Sequence, residues 1–270
     1  MNDVLDLKMT EAESLAFIND CMETCMPVLQ ALAPRQTMRA AVSLPIDTDK
    51  LNAAITNSTL IGFPQGMSRR YKTIIKRTQF FADLTAEIKY PKKEQQVQRW
   101  EHYILGMKAM GWTKMHESYT GYDSKYSGLT MSNIVLDIVQ AAIGGVAGST
   151  AAVLKAVANK TIEGLAKSPE ALKLYEKNGQ KAYGASMGVM TVAQDAGEDV
   201  WAVLGSTSYF TDAGNTKVAF FDKLHSGAQV YQGKATFTIY EDDYTARKEA
   251  RANEFFEAAD RALELEFGIK

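Results

Sequence analysis

The chain has 270 residues, of which 46% are hydrophobic and 23% charged, and these ordinary values exclude a disordered, collagen-like or disulfide-stapled protein. Its 30 basic and 32 acidic residues give a formal net charge of −2, so no overall charge draws the chain to nucleic acid or to a membrane. The length allows one large domain or two small ones, and without a long linker we expect a single domain over residues 1–270.

The first 110 residues carry the apolar spacing of amphipathic helices. In residues 10–33 the apolar side chains recur at intervals of three and four, and Thr10 with Glu13 forms the pattern of a capping box. Ser68 is a typical residue at the start of a helix. A polar loop is predicted over residues 119–128. The predicted helices of this part cover residues 10–33, a short segment that follows Asp47 and Asp49 and runs through Leu51 and Ile55 as far as Leu60 at most, residues 69–89 and residues 91–107.

A segment without charge follows, because the 17 residues from Ile138 to Leu154 include no Asp, Glu, Lys or Arg. Glycines within Gly144–Gly148 interrupt it, so the pattern predicts two helical arms, about 134–143 and 149–158, joined by a glycine-rich tip. A membrane span needs about 20 apolar residues, so a single span is not predicted. Two alternatives stay open: a hairpin buried in the core, and a hairpin that can enter a membrane.

Beyond about residue 198 the apolar period changes from that of a helix to that of a strand. A C-terminal helix is then predicted from Asp242 or Asp243 to about Glu266. Because helices precede the strands and do not alternate with them, the order indicates an α+β fold. The predicted strands are residues 200–204, 206–210, 217–221, 229–231 and 235–240.

The expected architecture is an N-terminal helical layer, a central apolar helix pair, a small antiparallel sheet near residues 200–240 and a C-terminal helix that covers this sheet. The helical part is expected over about 10–192, and the β-meander with its helix over about 198–268. Roughly three to five strands are expected in the sheet. The three tryptophans that should be mostly buried are Trp100, Trp112 and Trp201.

A basic run lies on the helix predicted over residues 69–89, and it suits the anionic headgroups of membrane lipids. The alternative is pairing inside the protein, since residues 61–125 carry 12 basic and 6 acidic groups while residues 1–60 and 241–270 have an acidic excess. The pI of about 6.0 and the lack of a known motif argue against nucleic acid as a partner. The residues predicted to meet an anionic surface are Arg69, Arg70, Lys72, Lys76 and Arg77.

No motif of catalysis or cofactor binding is found. His116, Ser118 and Asp123 are close in sequence, but a Ser/His/Asp triad is defined by geometry in space and not by clustering along a loop. The glycine-rich tip lacks the Lys of a phosphate-binding loop. We therefore expect no enzyme activity, no cofactor and no metal, with a hydrolase whose residues converge only in the fold as the alternative.

The two cysteines, Cys21 and Cys25, lie four residues apart on a predicted helix, and we expect them to be small buried side chains in a reducing compartment. Acylation of one of them is the minor alternative. The histidines His102, His116 and His225 are too distant in sequence to complete a metal site with them.

The N-terminal segment bears on where the chain is made. Residues 1–20 are acidic and lack the apolar core of a signal peptide, so we expect synthesis in the cytosol without a cleavable signal. Release by lysis, or export by a signal-independent route, is compatible with this sequence.

Residues Ile134–Val157, with Gly144–Gly148 at their centre, resemble the apolar helical hairpin of bacterial α-helical pore-forming toxins. The resemblance implies a soluble protein that hides the hairpin against its body and releases it at a membrane, where several copies assemble. The residues predicted to contact the membrane are Ile138, Ile143, Gly144, Gly145, Val146, Gly148, Val153 and Leu154.

The functional hypothesis is therefore a membrane-interacting protein, of the toxin or virulence-factor type, with a latent apolar hairpin. The alternative comes from another class: a partner- or lipid-binding protein whose apolar hairpin is simply its core.

Two substitutions at the tip separate these alternatives. For a latent membrane hairpin, Val146→Asp should leave the folded protein nearly intact and abolish dye release from anionic liposomes, because a charge at bilayer depth costs roughly 2.5–3.5 kcal/mol. Gly145→Leu should then impair assembly more than binding, because it blocks close helix contact. For a hairpin that is only core, thermal melts should show both variants destabilised, Val146→Asp more strongly.

Overall fold

A mixed β-sheet lies between two layers of helices in the computed structural model, and this arrangement confirms the α+β class. The structure describes residues 8–32, 52–122, 129–181, 184–195, 199–210, 219–223, 229–259 and 264–268. The helices are α1 (Glu11–Leu32), α2 (Arg69–Lys89), α3 (Gln96–Ala109), α4 (Met131–Ile143), α5 (Gly148–Ala166), α6 (Pro169–Gly179) and α7 (Ala246–Ala258). The strands are β1 (Asn52–Thr56), β2 (Thr59–Phe63), β3 (Thr113–Tyr122), β4 (Gln180–Lys181), β5 (Gly184–Gln194), β6 (Val200–Phe210), β7 (Gln229–Ile239) and β8 (Glu264–Gly268).

The strands run across the sheet in the order β3-β7-β6-β5-β2-β1-β8, and the two-residue β4 pairs with the start of β5. The long strands β5, β6 and β7 form its centre and pair in antiparallel register over their full length. Strand β2 pairs with β5 in parallel, in a register that places Leu60 opposite Val189. The expectation of a purely antiparallel sheet is therefore wrong at this one pair.

Each face of the sheet packs on its own set of helices. We call α1, α2, α3 and α7 the four-helix layer, and α4, α5 and α6 the hairpin layer. Successive residues of a strand point to opposite faces, so Ala202 and Leu204 of β6 contact the four-helix layer while Val203 contacts the hairpin layer. The sheet is therefore the shared core of both layers.

Helix α4 lies directly on β6 at Gly205. A Cβ atom built on this glycine would lie 2.6 Å from Val139 Cγ2 and 3.0 Å from the carbonyl oxygen of Val135. A backbone atom of the helix cannot move aside as a flexible side chain can, so only glycine permits this close packing of helix on strand.

Several elements differ from the sequence-based expectations, chiefly because strands buried on both faces lose the alternation of apolar and polar residues. The short helix predicted through Ile55 is instead the β1–β2 hairpin, whose described part begins at Asn52. The loop predicted over 119–128 is strand β3 as far as Tyr122, and the remainder lies outside the described residues. The end of the helical part expected over about 10–192 is instead a strand, because the described residues from 184 form the central strand β5.

The predicted β-meander also needs correction. The two strands predicted at 200–210 are one continuous strand, β6, and those predicted at 229–240 are one strand, β7. Of the strand predicted at 217–221, the described residues from 219 form a turn. The sheet is consequently larger than expected, and it extends well beyond residues 200–240.

The C-terminal helix is shorter than predicted, and it lies against other helices and not over the sheet. Helix α7 ends at Ala258, and residues Glu264–Gly268 form strand β8 at the edge of the sheet. Helix α7 packs mainly on α1 and α2 and does not cover the sheet. Trp100 and Trp112 are buried as expected, whereas Trp201 is only half-buried.

Substitution of Gly205 tests how closely α4 packs on β6. Gly205→Ala should lower the free energy of unfolding by about 1–3 kcal/mol, because the added methyl group overpacks the interface between helix and strand. Gly145→Ala is the matched control, since its added Cβ would have its nearest neighbour at 3.8 Å, and it should change stability by less than about 0.5 kcal/mol. Urea unfolding curves measure both values, and equal stability of the two variants would contradict the close packing.

Candidate membrane-interaction site

The uncharged segment forms a helical hairpin, made of α4, a tip at residues 144–147, and α5. Its arms therefore agree with the two predicted from the sequence. Helix α4 closes with backbone hydrogen bonds from Gly144 N to Gln140 O (3.2 Å) and from Val146 N to Ile143 O (2.9 Å). Gly148 then starts α5 with a φ of +68°, in the left-handed region that favours glycine. The glycine-rich composition of the tip follows from this reversal.

The inner face of the hairpin is apolar and buried against β5, β6 and β7. Of the predicted membrane residues, Ile138, Ile143, Val146 and Leu154 belong to this inner face. Val146→Asp therefore places a charge in the core whether or not the hairpin meets a membrane, and an exposed position makes a cleaner test. The other buried apolar residues of the hairpin are Met131, Ile134, Val135, Val139, Ala142, Val157, Ala158, Ile162 and Leu165.

The outer surface near the tip is uncharged and made of small residues. Val153 is 39% exposed there and is its largest apolar side chain. Lys155, two residues further along α5, is the first exposed charge beyond the tip on that arm. The predicted membrane residues Gly144, Gly145 and Gly148 belong to this outer surface. Its members are Ala141, Gly144, Gly145, Ala147, Gly148, Ser149, Ala152 and Val153.

The hairpin is held to the body mainly by apolar contacts. Ser132 N donates to Phe220 O at 2.9 Å, and Thr191 Oγ1 donates to Leu154 O at 2.8 Å. Among the described residues, no ion pair includes a side chain of α4 or α5. On α5 the Thr161 hydroxyl is buried, and it has no hydrogen-bond partner among the described residues.

The four-helix layer is joined differently, by ion pairs between its helices. Lys248 of α7 lies 3.2 Å from Glu11 of α1, and Lys89 of α2 lies 2.9 Å from Asp20 of α1. Arg70 of α2 pairs with the carboxylates of two residues near or on α7. The acidic ends of the chain therefore do pair with its basic middle.

A groove of about 290 Å³ runs beside α4 on the hairpin side. Ser118 and Thr120 of β3 and Lys234 of β7 line one wall, and Asp137 of α4 lines the other. Among the described residues, only α4 and the strands β3 and β7 line this groove, so no described helix covers this part of the β3–β7 edge.

The predicted basic residues are all on α2, in the four-helix layer, so the sheet separates them from the hairpin. Arg70 donates from Nε to Glu241 (3.1 Å) and from Nη2 to Glu249 (3.0 Å). Arg77 donates to Asn253 at 3.0 Å, and its guanidinium lies 3.8 Å from the ring centre of Phe256.

The other three cations differ in their surroundings. Lys72 Nζ lies 6.0 Å from the ring centre of Phe63, Lys76 is half-buried, and Arg69 is exposed. The structure thus does not bring the five cations and the hairpin together on one surface.

The cysteines and the nearest histidine are packed together in the core. Cys21 and Cys25 are free and buried, which confirms the burial predicted for them. Cys21 Sγ lies 3.5 Å from His102 Nε2. Burial raises the pKa of Cys21 to about 12 and that of Cys25 to about 11, and it lowers the pKa of His102 to about 4. Both thiols are therefore protonated at neutral pH, and this pair is not set up as a nucleophile with its base.

The remaining candidates for chemistry do not converge in the described part of the chain. His116 is exposed on β3, and Asp123 and His225 lie outside the described residues. In the described ranges, no group of three or more His, Cys, Asp or Glu side chains is placed to hold a metal ion. Within the same ranges, no helix has the length and apolar character needed to cross a bilayer.

Two solved structures that resemble this chain are a delta-endotoxin and the Evf virulence factor. The delta-endotoxin has a TM-score of 0.41 and 13% sequence identity, over 76% of this chain and 88% of its own. The Evf virulence factor has a TM-score of 0.35 and 10% identity, over 87% of this chain and 92% of its own. No protein-family model and no curated protein sequence matches the chain. At such identities, residue roles do not transfer from one protein to another.

The low pKa of His102 predicts a pH-dependent stability. The unfolded chain takes up a proton at His102 below about pH 6.5, whereas the folded chain does so only near pH 4, so stability is lost as the pH falls through this interval. His102→Phe should remove up to about 3 kcal/mol of that loss, while His116→Phe, at an exposed position, should leave it unchanged. Urea unfolding at pH 7 and below pH 5 measures the difference, and identical pH slopes in all three proteins would contradict it.

Proposed function

We propose that this chain is a membrane-interacting protein, of the toxin or virulence-factor type, whose α4–α5 hairpin leaves the sheet and binds a membrane surface. One observation carries the proposal: the hairpin is held by apolar contacts, without an ion pair in the described residues, while ion pairs join the helices of the opposite layer.

The physical reason is that an apolar interface is stable because its formation removes apolar surface from water. A lipid interface offers the inner face of the hairpin the same removal from water that the sheet offers, so exchange from sheet to lipid loses little apolar burial. An ion pair or a buried hydrogen bond has no such replacement in hydrocarbon. The unpartnered Thr161 hydroxyl adds to the argument, because a buried polar group without a partner destabilises the interface in which it lies.

The hairpin geometry supports binding along the surface and not across the bilayer. Helix α4 has one apolar face, which includes Ile134, Ile138 and Val139, and a polar side with Asn133 and Asp137. A helix of this kind lies in the plane of the membrane interface, with its apolar face buried among the acyl chains. This is the orientation expected of the released hairpin.

The tip is the part that would reach the lipid first. Its exposed surface from Ala141 to Val153 carries no charge, so contact with the interface requires no desolvation of an ionised group. The small residues at Gly144 and Gly148 also permit close approach of hairpins from neighbouring copies, which favours assembly on the membrane.

Anionic lipid is a secondary part of the proposal. Arg70 and Arg77 are engaged within the protein, and the sheet separates all five cations of α2 from the hairpin. Neutral vesicles should therefore bind the protein, and an anionic lipid should strengthen binding only modestly.

Val153→Asp tests the proposal without disturbing the core, because this side chain is 39% exposed near the tip. It should weaken binding to phosphatidylcholine vesicles by at least roughly tenfold, about 1.4 kcal/mol, since a charge then faces the lipid. The matched control is Val97→Asp on α3, 51% exposed in the opposite layer, which should bind as the wild type does. Vesicle flotation measures binding, and thermal melts of both variants should match the wild type.

A second variant should act in the opposite direction. Gly205→Ala loosens the contact of α4 with β6, so it should increase both vesicle binding and dye release although it destabilises the folded protein. A wild type that does not bind vesicles, or a Gly205→Ala variant that loses binding together with stability, would show instead that the hairpin is only core.

A further inference from the structure

A cavity of about 50 Å³ lies on the other face of the sheet, between the sheet and helices α2 and α3. Its floor is formed by small residues of two paired strands, with Ser186 opposite Ser208 and Gly188 opposite Ser206. These positions continue the face on which Met190 and Leu204 pack against the four-helix layer. Small polar residues thus replace the large apolar ones that fill this interface elsewhere.

Aromatic side chains form one wall of the cavity. Trp100 stacks on Tyr103 (ring centres 5.9 Å apart) and on Tyr119 (5.4 Å), and Tyr119 stacks in turn on Tyr231 (6.0 Å). Trp100 can lie flat on the sheet because Gly233 is beneath it, where an added Cβ would come within 2.5 Å of the indole ring. The wall is therefore rigid and preformed.

Two polar groups of α3 at this cavity are unsatisfied. Gln96 is 4% exposed and Tyr103 is 6% exposed, and both residues line the cavity. Within the described part of the chain, Gln96 Nε2 and the Tyr103 hydroxyl have no hydrogen-bond partner. Buried polar groups in proteins are almost always paired, so these two indicate a partner that is not part of the chain.

The cavity is lined by one acidic and one basic side chain, Asp83 and Arg99. The Asp83 carboxylate accepts hydrogen bonds from Ser58 (3.1 Å) and Asn57 (3.3 Å), and the Arg99 guanidinium donates to Tyr90 O at 2.9 and 2.6 Å. Burial, and after it the negative charge of Glu87, raises the pKa of Asp83, which indicates that this site disfavours negative charge, so an anionic ligand beside Asp83 would be disfavoured as well.

The lining then defines the chemistry of the ligand. Most polar groups of the cavity are hydroxyls, from Ser58, Thr59, Ser186, Ser206, Ser208 and Tyr103. A hydroxyl both donates and accepts, so it pairs best with groups that do the same. The volume has room for roughly two water molecules, which matches two adjacent hydroxyl groups on one edge of a sugar ring or of glycerol.

We propose that this cavity binds a neutral polyhydroxy compound, a sugar residue or a glycerol unit, between the serine floor and the Trp100–Tyr119 wall. The ligand hydroxyls take the hydrogen bonds that Gln96 Nε2 and the Tyr103 hydroxyl lack. The site is independent of the hairpin, which lies on the opposite face of the sheet.

The test uses the full chain and a panel of soluble probes. Glucose, galactose, N-acetylglucosamine and glycerol represent the proposed class, and inorganic phosphate and glycine represent anions and zwitterions of similar size. Binding is followed by saturation-transfer NMR and by tryptophan fluorescence, because Trp100 lines the cavity. At least one neutral polyol should bind at millimolar concentration. Binding of phosphate or glycine alone, or of nothing in the panel, would overturn the proposal.

Variants then locate the site. Tyr103→Phe should weaken binding of the polyol by roughly tenfold without lowering the melting temperature, because it removes a hydroxyl that is unsatisfied in the free protein. Ser206→Val, which fills part of the floor, should have the same effect on binding. The matched control Ser118→Val is on β3, on the hairpin side of the sheet, and should bind as the wild type does. Unchanged affinity in both cavity variants would overturn the proposal.

A last comparison separates the two sources of such a ligand and keeps the two proposals distinct. Vesicles that contain a galactolipid are compared with soluble methyl galactoside as competitor, so that a lipid headgroup and a free saccharide give different results. Val153→Asp should bind the soluble probe normally, because the hairpin takes no part in this site. Loss of soluble-probe binding in Val153→Asp would overturn the assignment to this cavity.

Discussion

Both faces of the central sheet are covered by helices, so nearly every side chain of β5 and β6 belongs to one of two interfaces. A large side chain fits only where the facing helix leaves room for it, and a helix approaches the sheet closely only where the strand is small. Gly205 shows the second case, since it allows α4 to lie directly on β6. The opposite occurs at Ser186, Ser206 and Ser208. The facing helices leave the space over these small residues open, and a cavity results.

The two helical layers are held by different forces. Apolar contacts hold the hairpin on the sheet. Ion pairs such as Lys248–Glu11 and Lys89–Asp20 also join the helices of the four-helix layer. Each of these ion pairs has a solvent-exposed carboxylate, and such pairs add little to stability, so their role here is specificity: they favour one arrangement of α1, α2 and α7 in water. An apolar surface is less selective about its partner, because another apolar environment can take the place of the sheet. The hairpin is therefore the layer that a membrane can compete for.

The two proposed sites lie on opposite faces of the sheet and make different physical demands. The hairpin site requires an interface that opens, and the groove beside Asp137 suits that movement. The polyol cavity requires a preformed wall, which the stack of Trp100, Tyr119 and Tyr231 supplies. Since the sheet separates them, a change at one site can be studied without changing the contacts of the other.

The sequence alone determined the α+β class, the helices around residues 10–33, 69–89 and 91–107, and the hairpin with its glycine-rich tip. Those features are local, because apolar spacing, capping residues and glycine act within one helix or one turn. Only the tertiary structure decided the strands at Asn52–Phe63 and Gly184–Gln194, since strands buried on both faces lack the alternation by which strands are recognised.

The candidate sites divide in the same way. The sequence indicated which residues form the hairpin, but not which of them face the sheet, so buried Val146 and exposed Val153 were indistinguishable. It indicated the basic run as well, but not that Arg70 pairs with residues some 170–180 positions away. The cavity could not be predicted from the sequence, because Ser186, Ser206 and Gln96 come from three separate elements. Their proximity depends on strand register and on the placement of α3, and both are set by long-range packing.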